Sequence, residues 1–285
     1  MGDVTGIAWT DSTWNPWVGC IKVGPGCDNC YAEKVGKRMQ VAWGAGLARK
    51  RTSEANWKAP LAWNRNAEKF HVEHGRRRRV FCASLADVFD NEVPDDWRAE
   101  AFALMEATHS LLWQICTKRV SNVDKMVPVP WKTAAYDRGF SPVRWPHNVG
   151  LLITTVTEAE VRRDVPRLLA LKMRFGIPWV GLSIEPLIED VSFALREVLA
   201  AYPAGALDWA ILGGESGPGA RRCDLAWILD AMRLLMTRGT AVFVKQLGAN
   251  PTYIGDHLRL ADSHGGEPGE WPDLDLVRSF PRALL

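Results

Sequence analysis

From residue 80 onward, short apolar runs alternate with amphipathic stretches, and this alternation most restricts what the chain can fold into. Val80–Leu85, Leu111–Thr117, Leu151–Thr155, Trp179–Ile184, Trp209–Leu212 and Ala241–Lys245 read as buried strands, each a short apolar run bounded by turn residues. Between them, Pro94–His109, Ser121–Met126, Glu158–Lys172, Val191–Ala201 and Asp224–Arg238 read as helices, with a kink or late start expected at Pro166. A first strand near Ile7–Trp9 completes the series. Strands alternating with helices argue for a parallel sheet with right-handed crossovers. The expected class is α/β, a partial or closed TIM-like (β/α) barrel, with an open doubly wound sheet as the other arrangement that fits.

Either arrangement gathers the strand C-termini on one face. Those ends offer Ser84 and Asp87, then Thr117-Lys118-Arg119, then Thr155, Thr157 and Glu158. Ser183 and Glu185 follow, then Gly213-Gly214-Glu215-Ser216, then Lys245-Gln246. Each also has a structural reading. Asp87 could cap a helix, and Glu185 and Glu215 could pair with Arg119, Arg221 or Lys245. Gly213-Gly214 and Gly217-Pro218-Gly219 could cradle a phosphate, but the full dinucleotide fingerprint is absent.

Ahead of these strands, Cys20, Cys27 and Cys30 stand in a C-x6-C-x2-C run, and Gly24-Pro25-Gly26 lets the backbone between them turn tightly. Three thiolates meeting at one point make a metal site with one position open. A four-iron cluster held this way leaves one iron free. Zinc with a distant fourth ligand, from His71, His74 or Cys82, is a second reading, and plain thiols or a disulfide a third. The remaining cysteines, Cys82, Cys116 and Cys223, sit in apolar surroundings and read as small core residues in a reducing, cytoplasmic protein.

The 285 residues, 47% hydrophobic, suffice for one domain over 1–285. Within it we expect a cysteine loop at 10–32, a basic insertion at 33–79, an irregular proline-bearing insertion at 128–148 and a loop-rich cap at 248–285. No apolar run reaches the ~18 residues of a membrane span, and Met1–Thr5 lacks the basic and apolar regions of a secretory signal. Net charge is +2, yet residues 31–80 carry 13 Lys/Arg against 4 Asp/Glu, including Arg49-Lys50-Arg51 and Arg76-Arg77-Arg78-Arg79. Such clusters can contact the phosphates of DNA or RNA, and Trp14, Trp17, Trp57 and Trp63 could stack on bases. The plainer expectations are a solvated loop, with the arginines paired to Glu68 and Glu73, and tryptophans packed in a core.

The chain resembles the phage Gp37/Gp68 family of three-Cys-motif proteins (DUF5131). The likeness covers nearly the whole chain. It runs through Thr10–Pro16, the cysteine loop, Ser84–Asp90, Thr117–Arg119, Gly181–Leu187, Gly213–Gly217, Lys245-Gln246, Gly265–Pro268 and Trp271-Pro272. It implies a three-Cys-motif partner protein. More distantly, Asn15-Pro16 ahead of Gly19-Cys20, ending Cys27-x2-Cys30-Tyr31-Ala32, is similar to the cluster loop of radical S-adenosylmethionine enzymes, above all the photoproduct-lyase branch. That likeness implies a [4Fe-4S] cluster on Cys20, Cys27 and Cys30. It also implies S-adenosyl-L-methionine on the open iron, and hydrogen abstraction from nucleic acid or a nucleotide in DNA repair or modification.

This sequence departs from that pattern in its first gap, six residues where three are usual. Its Gly213-Gly214-Glu215 also comes near the sixth strand instead of the second. The resemblance therefore implies Ser84 and Asp87 for the methionine group of the cofactor, and Thr155, Thr157 and Glu158 near its ribose. Ser183 and Arg221 are further cofactor contacts, with Glu185, Glu215 and Lys245 as catalytic groups. The rival expectation is a non-catalytic nucleic-acid-binding protein in which zinc or a cluster only staples the loop.

Overall fold

The computed structural model describes residues 4–132 and 145–285, so residues 133–144 of the expected irregular insertion lie outside the described residues. Seven parallel strands form one sheet: β1 (Ser12–Thr13), β2 (Arg79–Cys82), β3 (Leu112–Thr117), β4 (Val149–Thr154), β5 (Val180–Ile184), β6 (Trp209–Gly213) and β7 (Ala241–Gln246). They lie side by side in sequence order and curl into a half-barrel flanked by helices, a partial TIM-like barrel. The helices are α1 (Tyr31–Arg38), α2 (Glu54–Arg65), α3 (Ala67–His74), α4 (Asp95–Ala107), α5 (Val120–Met126), α6 (Glu158–Phe175), α7 (Ser192–Ala200) and α8 (Leu225–Thr237).

The period of two along each strand divides the molecule. One set of positions, including Val80, Ile115, Ile153, Leu182, Leu212 and Val244, packs outward into the main core with the helices. The alternate set faces the concave side. Phe81, Leu112, Leu152, Ile211 and Phe243 form an apolar floor there with Trp9 and Trp179. Further along β3, β4, β5 and β7, the same face presents Cys116, Thr154, Ser183 and Lys245. A dry floor below a polar rim is thus written into the strand alternation. Gly150 on β4 serves the floor. A Cβ there would lie 1.8 Å from Trp179 Cε2, so the indole fills the space a side chain would need.

Several expectations are corrected. The first strand is Ser12–Thr13, paired opposite Val80 and Phe81, and not Ile7–Trp9. Trp9 leaves the ladder because its ring bridges the curl, 4.6 Å from Phe81 on β2 and 6.0 Å from Trp209 on β6. Helix α6 is capped by Thr157, whose hydroxyl accepts from Glu160 N at 3.2 Å, and runs through Pro166 to Phe175, with Gly176 as its C-cap. Burial of Val161, Val165, Leu168 and Leu169 outweighs the one backbone donor that proline lacks.

The basic insertion is not a solvated loop, since α1, α2 and α3 fall within 31–79. Trp14, Trp17, Trp57 and Trp63 are buried, with Trp14 edge-on to both Trp57 and Trp113 at 5.3 Å, so they are core residues and not stacking platforms. The arginine run is engaged inside the fold. Arg76 meets Asp11 at 2.7 Å, and Arg79 meets the same carboxylate at 3.3 Å. Arg77 donates to Ser110 O and Leu111 O, and Arg78 donates to Ser12 Oγ at 2.8 Å and lies over Phe70. The run thereby staples the N-terminal segment to the sheet, with partners other than the expected Glu68 and Glu73. Arg49 joins Asp90 at 2.7 Å with both side chains fully buried. After β7 the chain carries short strands at Pro251–Tyr253 and Asp256–His257. Among the described residues no helix is long and apolar enough to cross a membrane.

Candidate functional site

The cysteine loop is placed by backbone pairing at its start. Trp17–Val18 pairs with Lys50–Arg51, and Gly19 N donates to Leu85 O at 3.1 Å, directly after β2. The chain then tightens into a short 3-10 turn, Pro25–Cys27, and Cys30 opens α1. This lays the loop over the C-terminal end of the half-barrel. A cavity of about 290 Å³ lies beneath it. Cys20, Cys27 and Cys30 all line that cavity, and Trp9 and Phe81 close its floor. The strand ends supply Ser84, Asp87, Cys116, Lys118, Arg119, Thr154, Ser183, Glu185, Glu215, Ser216, Lys245 and Gln246. All six cysteines are free thiols. The three loop thiols share the cavity without being drawn together. Among the described residues no group of three or more His, Cys, Asp or Glu side chains is gathered as for a metal ion.

The charged groups of the wall are mostly paired. Arg119 donates to Asp87 Oδ2 at 2.9 Å and to Ile21 O at 2.7 Å, and its Nη1 lies 3.5 Å from Cys20 Sγ. Burial pushes the Cys20 thiol up to about 11, Asp87 adds to the rise, and Arg119 opposes it. Asp87 Oδ1 accepts from Phe89 N and Thr117 Oγ1, while Oδ2 also accepts from Lys118 N. Glu185 lies 3.0 Å from Lys245. Arg221 meets Glu215 at 2.6 Å and Asp28 of the cysteine loop at 3.2 Å. Burial alone would raise the Glu215 carboxyl. Hydrogen bonds from Arg221 and Asn29 outweigh it and hold that carboxyl below the usual range.

The structure therefore brings Cys20, Cys27, Cys30, Ser84, Asp87, Ser183, Glu185, Glu215 and Lys245 to one cavity. It does not bring all the expected residues there. Thr155 is buried, its hydroxyl without a hydrogen-bond partner among the described residues, because the pleat points Thr154 inward instead. Thr157 is spent on capping α6, and Glu158 pairs with Arg162 at 2.8 Å. Arg221 stands behind Glu215, outside the lining.

Cys116 was expected in the core, yet it lines the cavity with its Sγ 3.6 Å from Thr154 Oγ1. Its place two residues beyond Gln114 and four beyond Leu112, both on the concave side, was the available signal. Asn29 and Tyr31 carried no such signal, since their partners, Glu215 and the Ser84 carbonyl, are distant in sequence. The donor set suits a thiolate-held group, with three soft sulfurs from one loop beside Lys118 and Arg119. It suits the zinc alternative less. His71 and His74 are exposed on α3, and Cys82 is packed in the outer core.

Residues 4–266 match the family described as "Protein of unknown function (DUF5131)". No curated protein matches the chain. Among solved structures, it is similar to spore photoproduct lyase complexed with dinucleoside spore photoproduct, at 13% identity and TM-score 0.42, over 78% of this chain and 58% of that one. It is also similar to a variant of spore photoproduct lyase with bound AdoMet and dinucleoside spore photoproduct, at 13% identity and TM-score 0.43, over 79% and 60%. A further variant of that lyase shows 15% identity and TM-score 0.42, over 82% and 64%. The chain thus spans less than two thirds of the length of each.

Proposed function

The chain belongs to the DUF5131 family, and we propose that it is an iron-sulfur enzyme of the radical S-adenosylmethionine type acting on nucleic acid or a nucleotide. One observation carries the reading: three thiols of a single short loop face one cavity at the C-terminal end of a parallel half-barrel. Cys20, Cys27 and Cys30 would hold a [4Fe-4S] cluster, and S-adenosyl-L-methionine would bind beside it. When bound, that pair supplies one-electron chemistry ending in hydrogen abstraction from the substrate.

The chain's own residues do the rest. Trp9 and Phe81 close the floor and exclude water from below. Ser84 Oγ, held by Asn15 at 2.9 Å, and Ser183 offer hydroxyls to the cofactor. Glu185 and Lys245 form a facing ion pair whose two opposite charges can bind a zwitterion. Asp87 has both oxygens committed to the protein and acts by fixing Arg119.

A polyanionic substrate is supported by Lys34 and Arg38. They are exposed on α1, the helix whose first residue, Tyr31, lines the cavity. The Arg76–Arg79 run and the four tryptophans are spent inside the fold and support nucleic-acid binding under neither reading, while the strand-end carboxylates that line the cavity favour the enzyme over the non-catalytic nucleic-acid-binding alternative.

Protein purified and reconstituted without oxygen should hold about four iron and four sulfide per chain. Cys20→Ala, Cys27→Ala and Cys30→Ala should each lose them, and Cys223→Ala should not. Calorimetry should then show S-adenosyl-L-methionine binding to the reconstituted protein. Stoichiometric zinc without sulfide would end this reading. A full cluster with no cofactor binding would leave an iron-sulfur protein of another kind.

A further inference from the structure

Among the described residues that line the cavity, Arg119 and Lys245 each have a carboxylate partner, Asp87 at 2.9 Å and Glu185 at 3.0 Å. Lys118 differs. Its hydrogen bond from Nζ goes to Thr154 Oγ1 at 3.4 Å, a neutral acceptor, and among the described residues no carboxylate lies within ion-pair distance of it. Its main chain is fixed, because Lys118 N donates to Asp87 Oδ2 at 3.0 Å. Its side chain runs beside the cysteine loop. A Cβ built on Gly26, the residue before Cys27, would lie 3.3 Å from Lys118 Cε. Glycine at that point leaves room for the lysine to pass between the loop and β4. Lys118 also lines the small space of about 10 Å³ behind the Gly24–Gly26 turn. Lys118 is half-buried at the cavity wall and its ammonium bonds a neutral hydroxyl, so its charge marks a place where negative charge is expected to settle.

We propose that Lys118 is a positioning residue that supplies the counter-charge to the sulfur ligands and makes the cluster easier to reduce; this rests on the cluster reading above. Three thiolates around a [4Fe-4S]2+ core sum to one negative charge. One electron from a low-potential donor brings that to two, and no bond forms or breaks. A fixed cation stabilises the second charge more than the first, so Lys118 favours the reduced state.

The test is a redox titration of the full-length, anaerobically reconstituted protein, followed by the electron paramagnetic resonance of the reduced cluster. Lys118→Met and Lys118→Gln should shift the midpoint to more negative values. At a fixed donor potential, the reduced-to-oxidised ratio should fall on the order of tenfold, ~59 mV for a one-electron couple. Lys118→Arg should restore it. Loss of iron in both neutral variants, with retention in Lys118→Arg, also supports a charge role. A cluster retained in Lys118→Gln at the parent midpoint overturns the inference, as does loss of iron in all three variants. Absence of iron and sulfide from the parent protein would instead sink the cluster reading itself, so the two failures are distinguishable.

Discussion

Asn29 donates to the Glu215 carboxylate at 2.9 Å, although 186 residues separate them. Arg221 joins the same carboxylate at 2.6 Å and reaches Asp28 at 3.2 Å. Tyr31 holds the loop from the opposite side through the Ser84 carbonyl at 2.9 Å. The cysteine loop is therefore clamped to both halves of the sheet, to the segment after β2 and to the segment after β6. A half-barrel has an open side, and this clamp holds the loop across its C-terminal end.

Removing the clamp should loosen the loop more than the fold. Glu215→Gln should cost about 1–2 kcal/mol, with partial exposure of Arg221 limiting the loss. It should also speed modification of Cys27 and Cys30 by a thiol reagent. The folded carboxyl titrates below its ordinary 4.5, so its stabilisation is complete above pH 4.5 and is lost as pH falls through the lower folded value. Thermal melts of the parent and of Glu215→Gln should thus differ at neutral pH and converge in acid. A margin unchanged into strong acid would count against this role for the carboxylate.

The arginine run makes a second prediction, opposite to its sequence reading. Arg79 is 5% exposed, pairs with Asp11 and lies 3.9 Å from the Phe280 ring centroid. Arg79→Ala should lose about 2–3 kcal/mol in urea unfolding, because both a salt bridge and ring packing go. Lys34→Ser and Arg38→Ser, on the exposed face of α1, should change stability by less than ~0.5 kcal/mol. If the protein binds nucleic acid, it is these two that should flatten its salt dependence. An Arg79→Ala protein as stable as its parent would show that the run is surface after all.

Much of this architecture was legible because it is periodic. Strands from Leu112 to Gln246 announce themselves as short apolar runs, and a parallel sheet places their ends on one face. Period two, carried one step further, would have chosen Thr154 over Thr155 and moved Cys116 from core to cavity. What stayed hidden was non-periodic. Trp9 looks like strand because it is apolar, but it is a plug set by the curl between Phe81 and Trp209. The arginines look solvated because they are charged, yet Asp11 lies 65 residues before Arg76, and only the fold brings them together. Long-range polar pairing leaves no local trace in a single sequence.

Asp87 separates a binding role from a structural one. Its carboxylate takes donors from Phe89 N, Thr117 Oγ1, Lys118 N and Arg119 Nη1, at 2.7 to 3.0 Å. It thereby ties the segment after β2 to the segment after β3, and through Arg119 it reaches Cys20 and Ile21. Asp87→Ala leaves those donors unpaired in a buried place and leaves Arg119 facing the more distant Asp90 carboxylate at 3.9 Å. We expect a loss of about 3–5 kcal/mol, the cost of breaking one side of a buried pair. Asp87→Asn keeps the shape and one acceptor oxygen and should lose less. Both variants should also bind iron poorly, because Arg119 no longer holds the Cys20 end of the loop. Urea unfolding beside iron analysis decides the matter. An Asp87→Ala protein with parent stability and a full cluster, deficient only in S-adenosyl-L-methionine binding, would return this carboxylate to the role of a direct cofactor contact.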